Sequence, residues 1–297
     1  MFKKLLNFRF HLRFVFNPFI RYKSDNMGNI KCVNQLKRET PVIISITSYE
    51  DRFDDLEIAL YSLMNQTTMP DRIILWLSDK LNLTKIPYTI SKYIKNGLEI
   101  RFVKDIGVYT KNFYALKEFK DAIIVTADDD VYYPKDWLEK LYHSYAVHPE
   151  DIQVHRAHRV RIKDKKIYPY EKWGKHVKEE SARFDNFLTG VGGVLYPPNC
   201  FTNEVFRDDI FLKQAPYADD IWYWVMALVA NRKIRVVKNH IDHINCTNYM
   251  RQIGMIKGKS LYAANRKGLN DKQLDNLMVY YSNVLNKICP KQERDNL

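Results

Sequence analysis

The run Ala122–Ala127 (AIIVTA), followed at once by Asp128-Asp129-Asp130, constrains this chain more than any other feature. A short apolar, β-branched run reads as a strand covered on both faces. Three adjacent carboxylates repel one another unless a cation neutralises them. In extended backbone Asp128 and Asp130 point one way and Asp129 the other. Two hard oxygen donors on one side suit Mg2+ or Mn2+, with a diphosphate completing the shell. The other reading of the same residues is a solvated acidic turn leading to a helix after Pro134.

The elements around this strand fit an α/β fold, a mostly parallel sheet flanked by helices. Val42–Thr47 is a β-branched strand, and Leu56, Ala59, Leu60, Leu63 and Met64 then share one helical face. Ile73–Leu77 and Leu98–Val103 read as further strands, with a short helix near Lys111–Phe119. Strands alternating with helices imply a parallel sheet, whose ligands sit beyond the carboxyl ends of the strands. Chemistry is therefore expected at Ser48-Tyr49, Ser78-Asp79 and Asp128–Asp130. Further along, Phe187–Pro198 reads as a strand entered through a glycine turn, Asp219–Ala230 as a buried helix and Lys233–Val237 as a strand. Asn270–Ile288 reads as a terminal helix, Asn270 and Gln273 having capping-box spacing. The division expected is a basic segment and linker over 1–40, one catalytic domain over 41–240, and a helical extension over 241–297 packed on it.

Four other groups bear chemistry. Asp219-Asp220 opens a helix, where the dipole stabilises carboxylates; near a second acidic site, either could serve as a general base. Gly190-Val191-Gly192-Gly193 is not a dinucleotide fingerprint; its glycines permit close backbone approach to a ligand, or simply a tight turn. Around His155–Arg159, period two puts Arg156 and His158 on one face and His155 and Arg159 on the other, able to hold phosphate or a charged acceptor, or to form an exposed basic hairpin. Trp173 follows as an aromatic platform for a sugar. His240 and His243, after a strand, are candidate metal ligands, although a lone histidine is more often structural.

Charge narrows the function classes. The formal net charge is +12, of which residues 1–40 carry +7 and residues 155–178 carry +7, leaving −2 for the rest. A near-neutral body with two basic patches attracts phosphate in any form: nucleic acid, anionic lipid or a nucleotide. With 46% hydrophobic and 28% charged residues the composition is that of a globular protein, not a disordered or rod-like one. The four cysteines form no C-x-x-C pair, which points away from a zinc ribbon or disulfide scaffold and toward a reducing, cytoplasmic setting. The longest uncharged stretch, Asn186–Asn203, is interrupted by glycines and prolines and does not read as a membrane span. Residues 1–22 mix Phe and Leu with Lys3, Lys4, Arg9 and Arg13, without the continuous apolar region and cleavage site of a signal peptide. They suit either a helix on an anionic membrane surface or a frayed tail, with Pro18 expected to end any helix.

The ordered blocks "PVIISITSYEDR", "NQTTMPDRIILWLSD", "AIIVTADDDVYYP", "TGVGGVLYPP", "YADDIWYWVMAL" and "GLNDKQL" resemble glycosyltransferases of the GT-A fold, most closely bacterial enzymes that build capsule or lipopolysaccharide glycans. The resemblance covers about residues 41–285. It implies that Asp128 faces the ribose or metal, that Asp130 binds Mn2+ or Mg2+, and that Asp129 belongs to the same nucleotide-sugar site. It places Thr47, Tyr49, Arg52 and Asp79 near the nucleoside, Lys111 near the base or diphosphate, and Gly192 and Gly193 at the donor. Asp220 or Asp219 maps onto the catalytic acid, and His243 or His240 onto a third metal ligand. Arg156, Arg159, Trp173 and Trp222 are the candidates for holding the acceptor.

The function so implied is metal-dependent transfer of a sugar from a nucleotide sugar, expected to be UDP-linked, to a hydroxyl of a glycan or lipid-linked glycan, with inversion. The enzyme would act in the cytoplasm, peripheral to the inner membrane face through residues 1–22. Two other classes fit the charge pattern: a nucleotidyltransferase that makes a sugar nucleotide, and a phosphate- or nucleic-acid-binding protein. No nucleic-acid partner is expected, since no nucleic-acid fold signature is present.

Overall fold

The computed structural model describes residues 16–163, 166–241, 243–248 and 268–289. Its centre is an eight-stranded mixed sheet. Strands β1 (Val42–Thr47), β2 (Arg72–Ser78), β3 (Leu98–Val103) and β4 (Ile123–Ala127) are parallel and lie in the order β4-β1-β2-β3. The chain thus builds outward from β1 through β2 to β3 and then crosses to the other side of β1. That reversal leaves a crevice between the carboxyl ends of β1 and β4, where ligands bind in open α/β sheets. Beyond β4 the sheet continues with Val194–Tyr196, antiparallel to β4, then Ile152–Val154, Ile234–Val236 and the edge strand Ser181–Arg183.

Period-two alternation divides the strands between two cores. Ile43, Ile74, Trp76 and Ile124 face one side, under the helices Thr110–Glu118, Asp219–Val229 and Asn270–Tyr281. Ile44, Ile46, Leu75 and Val125 face the other, under Phe53–Leu63 and Trp137–Val147. Helix Asp219–Val229 is apolar all round after its first two residues, and Ile221–Leu228 are buried throughout. Such a helix belongs inside, which fixes Asp219 and Asp220 at its inner end. Ser45, a polar residue in β1, is buried but paired. It donates to the Lys111 carbonyl and accepts from Trp76 Nε1 at 2.8 Å, pinning helix Thr110–Glu118 to the sheet.

Pro18 opens a helix, Asn17–Asp25, where its missing N–H costs nothing; the helix expected ahead of it falls in residues 1–15, outside the described residues. Three other local expectations change. The Asn270–Gln273 capping box does not form. The N-cap is Leu269, and Gln273 instead accepts from the Tyr217 N–H at 2.9 Å. The terminal helix is also shorter than expected, ending at Tyr281 before a 3₁₀ turn and the short helix Leu285–Ile288. Residues 23–40, polar enough to read as a linker, lie along the body: Cys32 N–H bonds Asn96 O at 2.9 Å and Asn34 N–H bonds Pro70 O at 2.7 Å. Residues 1–15 and 249–267 fall outside the described residues. Among the described residues, all four cysteines are free, and no helix is long and apolar enough to cross a membrane.

Candidate active site

The acidic triplet sits at the switch point between β1 and β4, but not in extended backbone. Strand β4 stops at Ala127 and Asp128–Asp130 turn. The expected alternation therefore fails. Asp129 and Asp130 face the same guanidinium, with Arg52 Nη1 3.0 Å from Asp129 Oδ1 and 2.8 Å from Asp130 Oδ2. Asp128 faces another cation and is in close contact with Lys111 Nζ. Ser48, the first residue after β1, donates to Asp129 Oδ2 at 2.6 Å and so ties the two strand ends together.

Lys111 joins the triplet to the second acidic pair. Its Nζ also lies 4.0 Å from Asp219 Oδ2, at the start of the inner helix. Beside it, Asp220 Oδ1 accepts from the Gly190 N–H at 2.8 Å. A Cβ on residue 190 would stand 2.9 Å from that oxygen, so the close approach requires glycine. Two acidic groups about ninety residues apart in sequence thus form one site.

Positive charge is in short supply there. Five carboxylates (Asp128, Asp129, Asp130, Asp219 and Asp220) face Arg52 and Lys111. Burial, together with repulsion from Asp130, pushes Asp129 up to about 7 despite Arg52. Burial and the neighbouring charges raise Asp130 as well. Burial pushes Asp219 up to about 6, and burial plus repulsion from Asp219 pushes Asp220 up to about 8. Lys111 and Arg52 move upward: burial opposes their charge, but the carboxylates they touch outweigh it. Hard oxygen donors left short of cations fit a divalent metal.

Next to the acids, a cavity of about 350 Å3 opens at the ends of β1, β2 and β3, lined among others by Thr47, Ser48, Tyr49, Lys80, Asp105 and Thr110. That is a size suited to a small ligand. Thr47 and Tyr49, the residues proposed for the nucleoside, both line it. Asp79 does not line the cavity, its neighbours Ser78 and Lys80 doing so instead. Ser48 was expected among the residues after β1; Lys80 and Asp105 are not marked out by the sequence pattern. Asp105 lies just past the end of β3, the position that corresponds to the ones singled out after β1, β2 and β4.

Several other expectations are corrected. Gly192 and Gly193 face the protein's own side chains: Cβ atoms there would meet Arg156 at 2.9 Å and the Trp137 ring at 2.5 Å. Gly190 is the glycine that reaches the acids. Trp222 is fully buried with its N–H on Val205 O at 3.1 Å, and Trp173 is buried with its N–H on Tyr168 O; both are core rings rather than acceptor platforms. Arg159 pairs with Glu179 at 2.7 Å, and Gly174 packs against its Cβ. Arg156 lies nearer the site, its Nη1 3.3 Å from Thr189, the residue before Gly190. His155 and His158 are buried and do not form an exposed basic face. His155 Nδ1 accepts from Ile241 N–H and its Nε2 donates to Trp137 O, and burial pushes it down to about 4. His240 adjoins it closely enough to disfavour its proton. His243 is exposed, just before Asn245–Cys246, which pairs with Val131–Tyr132 and returns the chain to the triplet; Thr247 N–H bonds Asp130 O at 2.8 Å.

With the strand-end cavity and the joined acidic groups established, comparison with known proteins is decisive at the level of family. Residues 43–213 match the model of glycosyl transferase family 2. The chain belongs to that family. It has a GT-A, Rossmann-like fold with a helical C-terminal segment. The matched stretch contains Asp128–Asp130, Lys111 and Gly190 and ends before Asp219.

No curated protein sequence matches the chain. Among solved structures, TarS residues 1–349 of S. aureus in complex with UDP is 19% identical, with a TM-score of 0.46 over 67% of this chain and 58% of that one. GalNAc-T7 with UDP, GalNAc and Mn2+ is 11% identical, with a TM-score of 0.45 over 69% and 46%. A mannosyltransferase of Pyrobaculum calidifontis with GDP-Man and Mn2+ is 14% identical, with a TM-score of 0.32 over 50% and 46%. The chain thus corresponds to less than two thirds of each of these proteins.

Proposed function

We propose that this glycosyltransferase moves a sugar from a nucleotide sugar to a hydroxyl of a bacterial surface glycan, of capsule or lipopolysaccharide type, with inversion at the anomeric carbon. The observation that carries the reading is Lys111. By touching Asp128 and approaching Asp219 it draws a donor-side and an acceptor-side acid into one site. A UDP-linked donor is the expectation from the family resemblance.

The nucleoside would occupy the cavity beside Thr47 and Tyr49, with the diphosphate toward the triplet. Asp128 and Asp130 would hold Mn2+ or Mg2+, whose chemistry there is to neutralise the departing diphosphate. Lys111 is placed to add a second positive charge at the same point. Asp220 is the base that takes the proton from the acceptor hydroxyl. The Gly190 N–H holds one carboxylate oxygen, which orients the other. A base raised to about 8 accepts a proton readily once ionised. NMR of the product tests the assignment: the anomeric configuration inverts if Asp220 acts as base, and retention removes that role.

The helix Asn17–Asp25 supports an acceptor presented at a membrane surface. Asn17 Nδ2 bonds Thr247 O at 2.7 Å, and Thr247 in turn bonds Asp130, so this helix begins beside the triplet. Phe16, Phe19 and Tyr22 are exposed, with Lys23 4.6 Å over the Phe19 ring. Apolar rings mixed with cations suit the headgroup layer of an anionic bilayer. In this reading residues 1–22 hold the catalytic mouth at the cytoplasmic membrane face, where a lipid-linked acceptor would arrive.

A further inference from the structure

A second concavity lies at the opposite end of helix Asp219–Val229 from the acids. That helix has eleven residues and is about 16 Å long. The concavity has a volume of about 1130 Å3 and is bounded by the hairpin Ile162–Lys163/Lys166–Ile167, the segment after the edge strand Ser181–Arg183, and the last described turn of the chain. Six cations line it (Arg161, Lys163, Lys172, Arg183, Lys233 and Lys287) against the carboxylates Glu171 and Asp185.

Two of these cations are already engaged: Arg183 with Asp185 at 2.7 Å, and Lys287 with the Leu228 carbonyl that ends the helix. Among the described residues, Arg161, Lys163, Lys172 and Lys233 have no carboxylate within 4.0 Å. Four cations around one concavity, without carboxylate partners among the described residues, create a field that favours an anion. The volume exceeds that of ordinary small-ligand pockets, which suits an extended ligand.

We propose that this groove binds the anionic part of an acidic glycan acceptor, its charges carboxylate or phosphate diester, while the growing end reaches Asp219 and Asp220. This rests on the sugar-transfer reading above. The aromatic residues favour a glycan over a single-stranded nucleic acid. Nucleic-acid grooves present open ring faces on which bases stack. Here Lys172 stands 5.9 Å over the Tyr168 ring, Lys233 stands 5.9 Å over Phe184, and Trp173 is buried. The ring faces are taken by ammonium groups, which leaves charge as the recognition element.

The test uses the full chain and four fluorescently labelled probes: polygalacturonate, phosphomannan, neutral dextran and a thymidine 20-mer. At least one acidic glycan is expected to bind, dextran is not, and Lys163→Glu with Lys233→Glu is expected to weaken glycan binding at least tenfold while UDP affinity stays unchanged. The milder pair Lys163→Gln with Lys233→Gln, checked for an unchanged Tm, should give a smaller loss in the same direction. Glycan binding that is undiminished in both double variants, or absent from the parent, overturns the proposal. So does tighter binding of the thymidine oligomer, lost in the same variants, which would make the groove a nucleic-acid site. Loss of UDP affinity bears on the active site instead, so the two readings fail separately.

Discussion

Two charge clusters in this protein each enclose buried groups, Lys92 and Glu57 in one and the strand-tip acids in the other, and they are built on opposite plans. Under the amino-terminal helix, Lys92 Nζ is 2.7 Å from both Glu57 and Asp25, and Arg21 reaches Glu57 at 3.5 Å. Two cations there meet two carboxylates, and the cluster closes on itself. At the strand tips, five carboxylates share Arg52 and Lys111. A purely structural cluster is expected to balance its charges, because an unmatched buried charge is costly. The first cluster fastens the helix to the body; on the proposed reading the second is left open to a cation and an anionic ligand from outside.

Replacement of Asp220 by Asn should widen the contrast most. Loss of a general base lowers turnover by about 10²–10⁴-fold. The fold should not suffer, because Asn can still accept from Gly190 N–H. The raised folded-state value of Asp220, about 8, means that its ionised form destabilises the fold as pH rises. The Asn variant should therefore match or exceed the parent's Tm at pH 8. An active Asp220→Asn enzyme, or one that unfolds, would put the second cluster on the plan of the first. Lys92→Met is the converse: stability should fall by about 3 kcal/mol in denaturant titration, because buried Glu57 is left with only the partly exposed Arg21 at 3.5 Å, while UDP affinity per folded molecule is retained.

A smaller effect comes from a buried group that is neutral by design. His155 falls from its ordinary value to about 4, so as pH drops below 6.5 the unfolded chain takes up a proton that the native one refuses. Stability should fall by about 2 kcal/mol between pH 6.5 and pH 5 on this account. His155→Gln should flatten that limb; an unchanged pH profile would show that the histidine is already protonated in the fold. The smallest effect belongs to the helix surface. Phe16→Glu with Phe19→Glu should reduce co-sedimentation with phosphatidylserine vesicles and leave activity on a soluble acceptor intact. Equal sedimentation would separate the helix from the membrane.

The sheet was readable in the sequence because hydrophobic periodicity is local. β1 and β3 begin and end where the alternation and β-branched runs put them, and the acids stand out because charge ends β4 abruptly. The pairing of those acids was not readable. It depends on a turn that breaks period two, and on Arg52 and Lys111 arriving from two other helical segments. Trp173 and Trp222 differ from expectation for a related reason. An indole that fills a core and one that stacks on a sugar have the same sequence, and only burial tells them apart. The segment from Lys23 to Thr40 reads as a linker since its attachment runs through backbone hydrogen bonds, which leave no hydropathy signal.

If the strand-tip acids are short of positive charge because they hold a divalent ion with a nucleoside diphosphate, calorimetric titration of UDP with and without Mn2+ will register it. Mn2+ should tighten UDP binding at least tenfold in the parent chain and not in Asp130→Asn. Equal UDP affinity in the parent under both conditions would contradict it.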